Sequence, residues 1–365
     1  EQACKSTTQL MWSMGFISLV ITAFVYACKY WILHGVFGQI EADVMHHADV
    51  YLLIVTASIP FIALYNGGAA VFRAMGNSEV SMKVSLLMNA INVSGNAILI
   101  YGFHCGTEGV AIPTLVSRFV AAFIIIKLLL KDKWSLHLER TYRFNPDWSM
   151  IRKILSVGIP NGLENSMFQL GKVLVLSLVS TFGTYAIAAN AVSNVITLFS
   201  ILPGQAICLA VTTVIARCVG AGDYEQAKYY NKKLILLTHI GMAITIFIVF
   251  ITLPFILKVY NLSEAASEAT RHIIWFHGFC AILIWAESFT LPATFRACGD
   301  AKACMIISTV SMWIFRVGAS YILGKNLGLG VFGVWVAMII DWAFRSLLFG
   351  IRYFSGKWKK HALVS

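Results

Sequence analysis

The sequence predicts an all-α integral membrane protein, and three observations carry that reading. Of its 365 residues, 58% are apolar and only 12% charged, against roughly 45–50% and about 25% in soluble domains. Ten runs reach the length of a bilayer span, which takes about 20 largely apolar residues. Motifs near residue 75 return near residue 298, so the spans belong to a duplication. So few charges could not cover a soluble globule of this size, which excludes a water-soluble enzyme. Disorder, collagen and a disulfide scaffold fail on the same figures. Open strands are excluded because lipid cannot satisfy exposed backbone groups.

In chain order the runs are 8–32, 48–72, 82–103, 108–130, 151–181, 185–216, 233–258, 270–295, 303–324 and 329–354, each 22 to 32 residues long. Six of the seven prolines, at 60, 113, 160, 203, 254 and 292, fall inside them and predict kinked or locally unwound helices. The longest polar stretch, Lys131–Met150, holds Pro146 and reads as a linker between two bundles. The expected domains are a first lobe at 1–131, a linker at 132–150 and a second lobe at 151–365.

Lys and Arg placement orients the chain. With residue 1 cytoplasmic, 21 of the 28 basic residues fall on the cytoplasmic side and 4 on the other, with Arg118, Lys172 and Arg316 inside spans. That bias follows the positive-inside rule and accounts for the net charge of +11 without a nucleic-acid partner. Ten crossings put both ends in the cytoplasm. The eight cysteines form no CxxC pair, and most lie in or at the ends of apolar runs, so they read as small hydrophobes. The Asn261-Leu262-Ser263 sequon is discounted, since nothing suggests a secretory host.

The repeat is specific. Phe72-Arg73-Ala74-Met75-Gly76-Asn77 matches Phe295-Arg296-Ala297-Cys298-Gly299-Asp300, Gly106–Val110 matches Gly330–Val334, and Glu1-Gln2-Ala3 matches Glu225-Gln226-Ala227. The offset is 223 or 224 residues in every case. A unit of that length holds six spans, and an even number keeps both copies in one orientation, about an axis along the membrane normal. The second copy starts near 146. Residues 146–224 have no upstream counterpart, so about 80 further residues with two more spans are expected to precede Glu1 in the intact protein.

The segments Gly158-Ile-Pro-Asn-Gly162-Leu-Glu164-Asn165, Val219-Gly220-Ala-Gly222-Asp223-Tyr-Glu-Gln-Ala227, Leu291-Pro292-Ala-Thr-Phe-Arg296-Ala-Cys-Gly299-Asp300-Ala-Lys302 and Gly330-Val-Phe-Gly333-Val-Trp335-Val-Ala-Met-Ile-Ile-Asp341-Trp342 together resemble the multidrug and toxic compound extrusion (MATE) transporters. The likeness covers essentially the whole chain, starting at what would be the third helix. It implies a two-lobe helical bundle, here 4+6 of an expected 6+6 helices, around a shared cleft. It also implies export of bulky, often cationic compounds in antiport with Na⁺ or H⁺, with no other cofactor, by a monomer in a bacterial plasma membrane. Many members carry coupling carboxylates on the first and fifth helices. On the fifth, this chain has Asn92-Val-Ser-Gly-Asn96, with Asn96 where many have Asp.

Ionisable groups at bilayer depth are functional candidates. Glu164 lies four residues after Pro160 and borders a stripe of Asn161, Asn165, Gln169 and Lys172 at i, i+4, i+8 and i+11. There it can bind a cation or a proton, or instead be satisfied by Lys172 or Arg118. Glu287, flanked by Trp285 and Phe289, is a second candidate for substrate or coupling. Arg316 and Asp341 sit near mid-depth on sequential helices and are expected to form a structural ion pair, with Arg345 as the alternative partner of Asp341. Asn89, Asn92 and Asn96 share a helix face, as do Asn190 and Asn194. Such amides suit Na⁺, a polar substrate, or polar contacts between helices. The 12 Met and 24 Phe suit a promiscuous pocket as well as ordinary packing.

No HExxH, GxSxG or GxxxxGK[ST] motif occurs, so neither hydrolysis nor ATP supplies the energy. The leading reading is an ion-coupled exporter of organic cations. A lipid-linked glycan flippase of related architecture would need a strongly cationic cleft, which the balance of mid-span charges disfavours. A non-transporting membrane scaffold would need no mid-span acid.

Overall fold

The computed structural model describes residues 2–36, 42–138 and 146–361. The chain divides into two compact units, Glu1–Ile154 and Leu155–Ser365. Arg140 and Arg143, part of the cytoplasmic basic count, lie outside the described residues.

The first unit holds α1 (Gln2–Ala27), α2 (Asp43–Ala74), α3 (Ser78–Gly102) and α4 (Glu108–Leu129). Its core forms where Phe72 of α2 meets Ile125 and Leu129 of α4, all fully buried. A Cβ on Gly68 would lie 2.8 Å from the Ile125 side chain, so the absence of one lets the two helices close. α2 is interrupted at Ser58, two residues before Pro60. There Ser58 Oγ donates to Val55 O and accepts from Arg118 Nη1, both at 2.6 Å. Arg118, one of the mid-span cations, is thus tied to a break in its own unit.

The expected linker is partly structure. Trp134 packs edge-on against Phe72 with ring centroids 5.3 Å apart. The Leu138 amide donates to Leu129 O at 2.8 Å. Apolar side chains embedded in the polar stretch fold its first part back onto the unit that precedes it. Asp147 then caps the next helix, its Oδ1 accepting from the Met150 amide at 3.2 Å.

The next helix, α5 (Trp148–Ser180), leads into the second unit. There follow α6 (Thr184–Gly220), α7 (Tyr224–Tyr260), α8 (Glu264–Ala297), α9 (Ala301–Asn326) and α10 (Gly330–Phe354). Among the described residues, nine helices are long and apolar enough to span a membrane, one fewer than the ten runs read from sequence. α5 falls short on composition, because its polar stripe from Asn161 to Lys172 dilutes the apolar window. The outward faces carry exposed Phe16, Tyr101, Phe255 and Leu283. Such a surface suits lipid rather than water.

The duplicated motifs build equivalent turns. Gly76 and Gly299 adopt φ of 81° and 86°, a left-handed conformation that costs a side-chain-free residue little. Asn77 and Asp300 follow as the N-caps of α3 and α9. In the second unit Pro292 has no N–H for the carbonyl of Ser288, and that carbonyl accepts from Arg345 Nη2 at 3.3 Å. The surrounding turn, Ala286–Thr290, relaxes to a π-helix. All eight cysteines are free thiols, with Cys298 and Cys304 packed in an apolar cluster.

Candidate substrate and ion site

A cavity of about 880 Å³ lies within the second unit, with Glu164 on its wall. One side of α5 faces it through Asn161, Glu164, Asn165 and Lys172, whereas Gln169 is exposed and outside the lining. Asn165 Nδ2 is turned to its own helix, donating to Asn161 O at 2.8 Å. The opposite wall is aromatic. Trp285, Phe289, Trp335 and Trp342 line it, and His277 meets the edges of Trp335 and Trp342 at 5.4 and 5.2 Å.

Glu164 takes neither partner expected from sequence. Its Oε1 accepts from Arg296 Nη2 at 2.7 Å, while Oε2 is buried without a hydrogen-bond partner among the described residues. Arg296, one of the 21 basic residues of the cytoplasmic side, follows the proline near the end of its apolar run. It reaches the cavity because it stands one turn past Pro292, just as Glu164 stands one turn past Pro160. This symmetry is visible in the sequence and could have signalled the pair.

The expected Arg316–Asp341 pair is corrected. The two form no salt bridge, and neither do Asp341 and Arg345. Asp341 is fully buried, and its Oδ1 accepts from Ser311 Oγ on α9. Arg316 instead sits over the Phe168 ring at 5.2 Å, and Lys172 over the same ring at 5.1 Å. Arg345 lies 4.6 Å over Phe289. A hydroxyl on the neighbouring helix takes one oxygen of the carboxylate, Oδ2 is buried without a hydrogen-bond partner among the described residues, and the guanidinium groups lie over aromatic faces.

The other candidates separate. Asn194 lines the cavity, and its Nδ2 donates to Asn190 O at 2.8 Å. Asn190 lies behind it, accepting from Trp335 Nε1 at 3.1 Å and so fixing a cavity wall. Glu287 is outside the lining. It meets His239 Nε2 at 2.9 Å, a histidine the sequence reading passed over. Asn92 and Asn96 belong to the first unit. Asn92 Nδ2 donates to Thr114 Oγ1 at 3.0 Å, Asn96 Nδ2 to Asn92 Oδ1 at 3.3 Å, and Asn96 Oδ1 is left buried without a partner.

The expectation of balanced charge also changes. The cavity lining holds Lys172, Arg296, Arg316 and Arg345 against the single carboxylate of Glu164. Arg296 and Arg345 belong to the 21 basic residues of the cytoplasmic side, and their inward-reaching guanidinium groups tip the balance.

A multi-pass helical membrane protein with a charged and aromatic cavity is the architecture of a transporter. The MatE family model matches residues 1–98 and 160–322, and the chain belongs to that family of membrane transporters; it is not an enzyme. It is similar to "Probable multidrug resistance protein NorM" of Thermotoga maritima, 25% identical over 370 residues, covering 99% of this chain and 78% of that protein. It is 27% identical to "Uncharacterized transporter YisQ" of Bacillus subtilis over 352 residues, 94% of this chain and 75% of the relative. Its fold matches an outward-facing multidrug resistance MATE family transporter of the MOP superfamily, with TM-score 0.86 and 19% identity over 97% of this chain and 80% of that one. It matches equally a MOP superfamily transporter from Pyrococcus furiosus described by the reverse polarity of its binding pocket, with TM-score 0.86 and 19% identity over 98% of this chain and 80% of that one.

Proposed function

We propose that this chain is a secondary active exporter that moves drug-sized organic molecules out across the cell membrane in antiport with Na⁺ or H⁺. The names of its multidrug resistance relatives support the cargo class. The observation that carries the coupling is the Glu164–Arg296 contact on the cavity wall, with one carboxylate oxygen still unpartnered. A proton or Na⁺ arriving at Glu164 weakens its hold on Arg296, and release of the ion restores it. Cavity charge and coupling charge are thereby linked, which is the requirement for exchange.

The test uses proteoliposomes loaded with carboxyfluorescein or with rhodamine 6G, under an imposed pH or Na⁺ gradient. Wild-type protein is expected to accelerate gradient-dependent loss of at least one dye, and Glu164→Gln to abolish the gradient dependence. Gradient-dependent export that persists at the wild-type rate in Glu164→Gln overturns the role of this residue. Failure of any gradient to drive either dye overturns the exporter reading.

A further inference from the structure

We infer that the second-unit cavity binds an amphipathic organic anion, its acidic head held by Lys172 and Arg316 at Phe168 and its apolar body against the tryptophan wall. The inference deepens the exporter reading and rests on it only for transport, since binding can be measured separately.

The charges require it. Of the four cations lining the cavity, Arg296 is neutralised by Glu164 at 2.7 Å. Lys172, Arg316 and Arg345 have no carboxylate at salt-bridge distance among the described residues. Asp341, one turn before Arg345, is fully buried, bonded to Ser311 and outside the lining. Assigning its charge to either arginine still leaves two positive charges facing the cavity. Charges at bilayer depth are costly unless paired, so a site with surplus cations is completed by a ligand of opposite sign.

The geometry places the head group. Lys172 and Arg316 lie over one ring, 5.1 and 5.2 Å from its centroid. Two like charges held at one ring repel, and an anion that reaches both offsets the repulsion while accepting from both. A planar carboxylate or a tetrahedral phosphate offers the two or more acceptor oxygens such a pair needs. Trp285, Phe289, Trp335 and Trp342 then supply the apolar contact that a bare inorganic anion would leave unused. A permanently cationic molecule would enter against uncompensated like charge.

Carboxyfluorescein and rhodamine 6G share a three-ring body and carry opposite charge, so they isolate the sign. Binding is measured by fluorescence anisotropy to the full chain in phosphatidylcholine nanodiscs, with empty nanodiscs subtracted. Carboxyfluorescein is expected to bind at least ~10-fold more tightly than rhodamine 6G, and Lys172→Glu to weaken it by ~10-fold or more. Lys172 is exposed, so the variant should fold, and gel filtration with circular dichroism checks that it does. Arg316→Gln is expected to act in the same direction, but Lys172→Glu decides. Tighter binding of rhodamine 6G, or unchanged carboxyfluorescein affinity in Lys172→Glu, overturns the inference. A second arm replaces part of the lipid with phosphatidylglycerol. Displacement of the dye identifies a lipid phosphate as the occupant, and undiminished binding identifies a soluble anion; both agree with the shared chemistry. Anion binding without gradient-driven efflux would leave this inference standing and remove the exporter reading. Gradient-driven rhodamine 6G export without carboxyfluorescein binding would do the reverse.

Discussion

Arg352 grips Asp300 with two hydrogen bonds, Nε to Oδ2 at 2.6 Å and Nη2 to Oδ1 at 2.9 Å. The contact ties the end of α10 to the turn between α8 and α9, and Asp300 is almost wholly buried there. Bidentate geometry fixes both orientation and charge. Arg352→Met removes the bidentate partner of a buried carboxylate and is expected to cost about 3 kcal/mol, toward the lower end of the cost of breaking a buried pair. Chemical unfolding of the purified protein measures it, and a loss below about 1 kcal/mol would show that solvent or another group takes over the carboxylate.

The duplicated glycines should be intolerant where they close helix contacts. A Cβ on Gly333 would lie 2.8 Å from the backbone of Leu323, and one on its repeat partner Gly109 would lie 3.1 Å from Cys105 Cβ. Backbone cannot swing aside, so Gly333→Ala is expected to destabilise by about 1–3 kcal/mol and Gly109→Ala by less. Gly158 and Gly162, spaced as GxxxG on α5, have nothing within 4 Å of such a Cβ. Gly158→Ala is therefore expected to be neutral or slightly stabilising, because alanine favours the helix. Equal losses at Gly158 and Gly333 in a thermal-shift comparison would refute this ordering.

Much of this architecture was legible because membrane helices announce themselves by length. The nine span-length apolar helices among the described residues and the duplicated turns at Gly76 and Gly299 follow from apolar runs and left-handed glycines, both local signals. Pairing between helices is not local. Sequence places Glu164 within eight residues of the polar Asn161, Asn165, Gln169 and Lys172, yet its partner Arg296 is 132 residues away. Asp341 was within reach of two arginines by depth, and a serine hydroxyl on α9 took it. Depth along a helix can be counted from sequence, but rotation about its axis and the choice among several competent partners depend on packing. The same limit hid His239, whose role appears only when α7 meets the π-turn of α8.

Acid should loosen the start of α5. Lys5 Nζ lies 3.0 Å from Asp147 Oδ2, and the Met150 amide donates to Oδ1. The Lys5 bond first, and then the amide, hold the Asp147 carboxyl down at about 2. A carboxyl lowered in the folded state stabilises above its unfolded value near 3.9, and that contribution is lost as pH falls through the folded value. The group is solvent-accessible, so the effect is small. The stability difference between wild type and Lys5→Met is expected to be present at pH 6 and to fade between about pH 4 and pH 2. A difference independent of pH across that window would assign the effect to packing of the lysine stem instead.

The His239–Glu287 contact makes a more discriminating prediction. Ile282 O lies 2.6 Å from His239 Nδ1 and can only accept, so Nδ1 carries a proton and donates it. Nε2 then faces Glu287 Oε1 at 2.9 Å, and a hydrogen bond there needs one further proton, on either the ring or the carboxyl. Glu287→Gln keeps the bond without that proton, since the amide donates to the bare Nε2. Glu287→Ala removes it and leaves a half-buried imidazole nitrogen unpaired. We expect Glu287→Gln to hold stability within about 1 kcal/mol of wild type and Glu287→Ala to lose about 2 kcal/mol. Because Glu287 lies outside the cavity lining, dye affinity should be unchanged in Glu287→Gln. Equal destabilisation by the two substitutions in chemical unfolding would mean that the charge at this position, rather than the hydrogen bond to His239, holds the π-turn against α7.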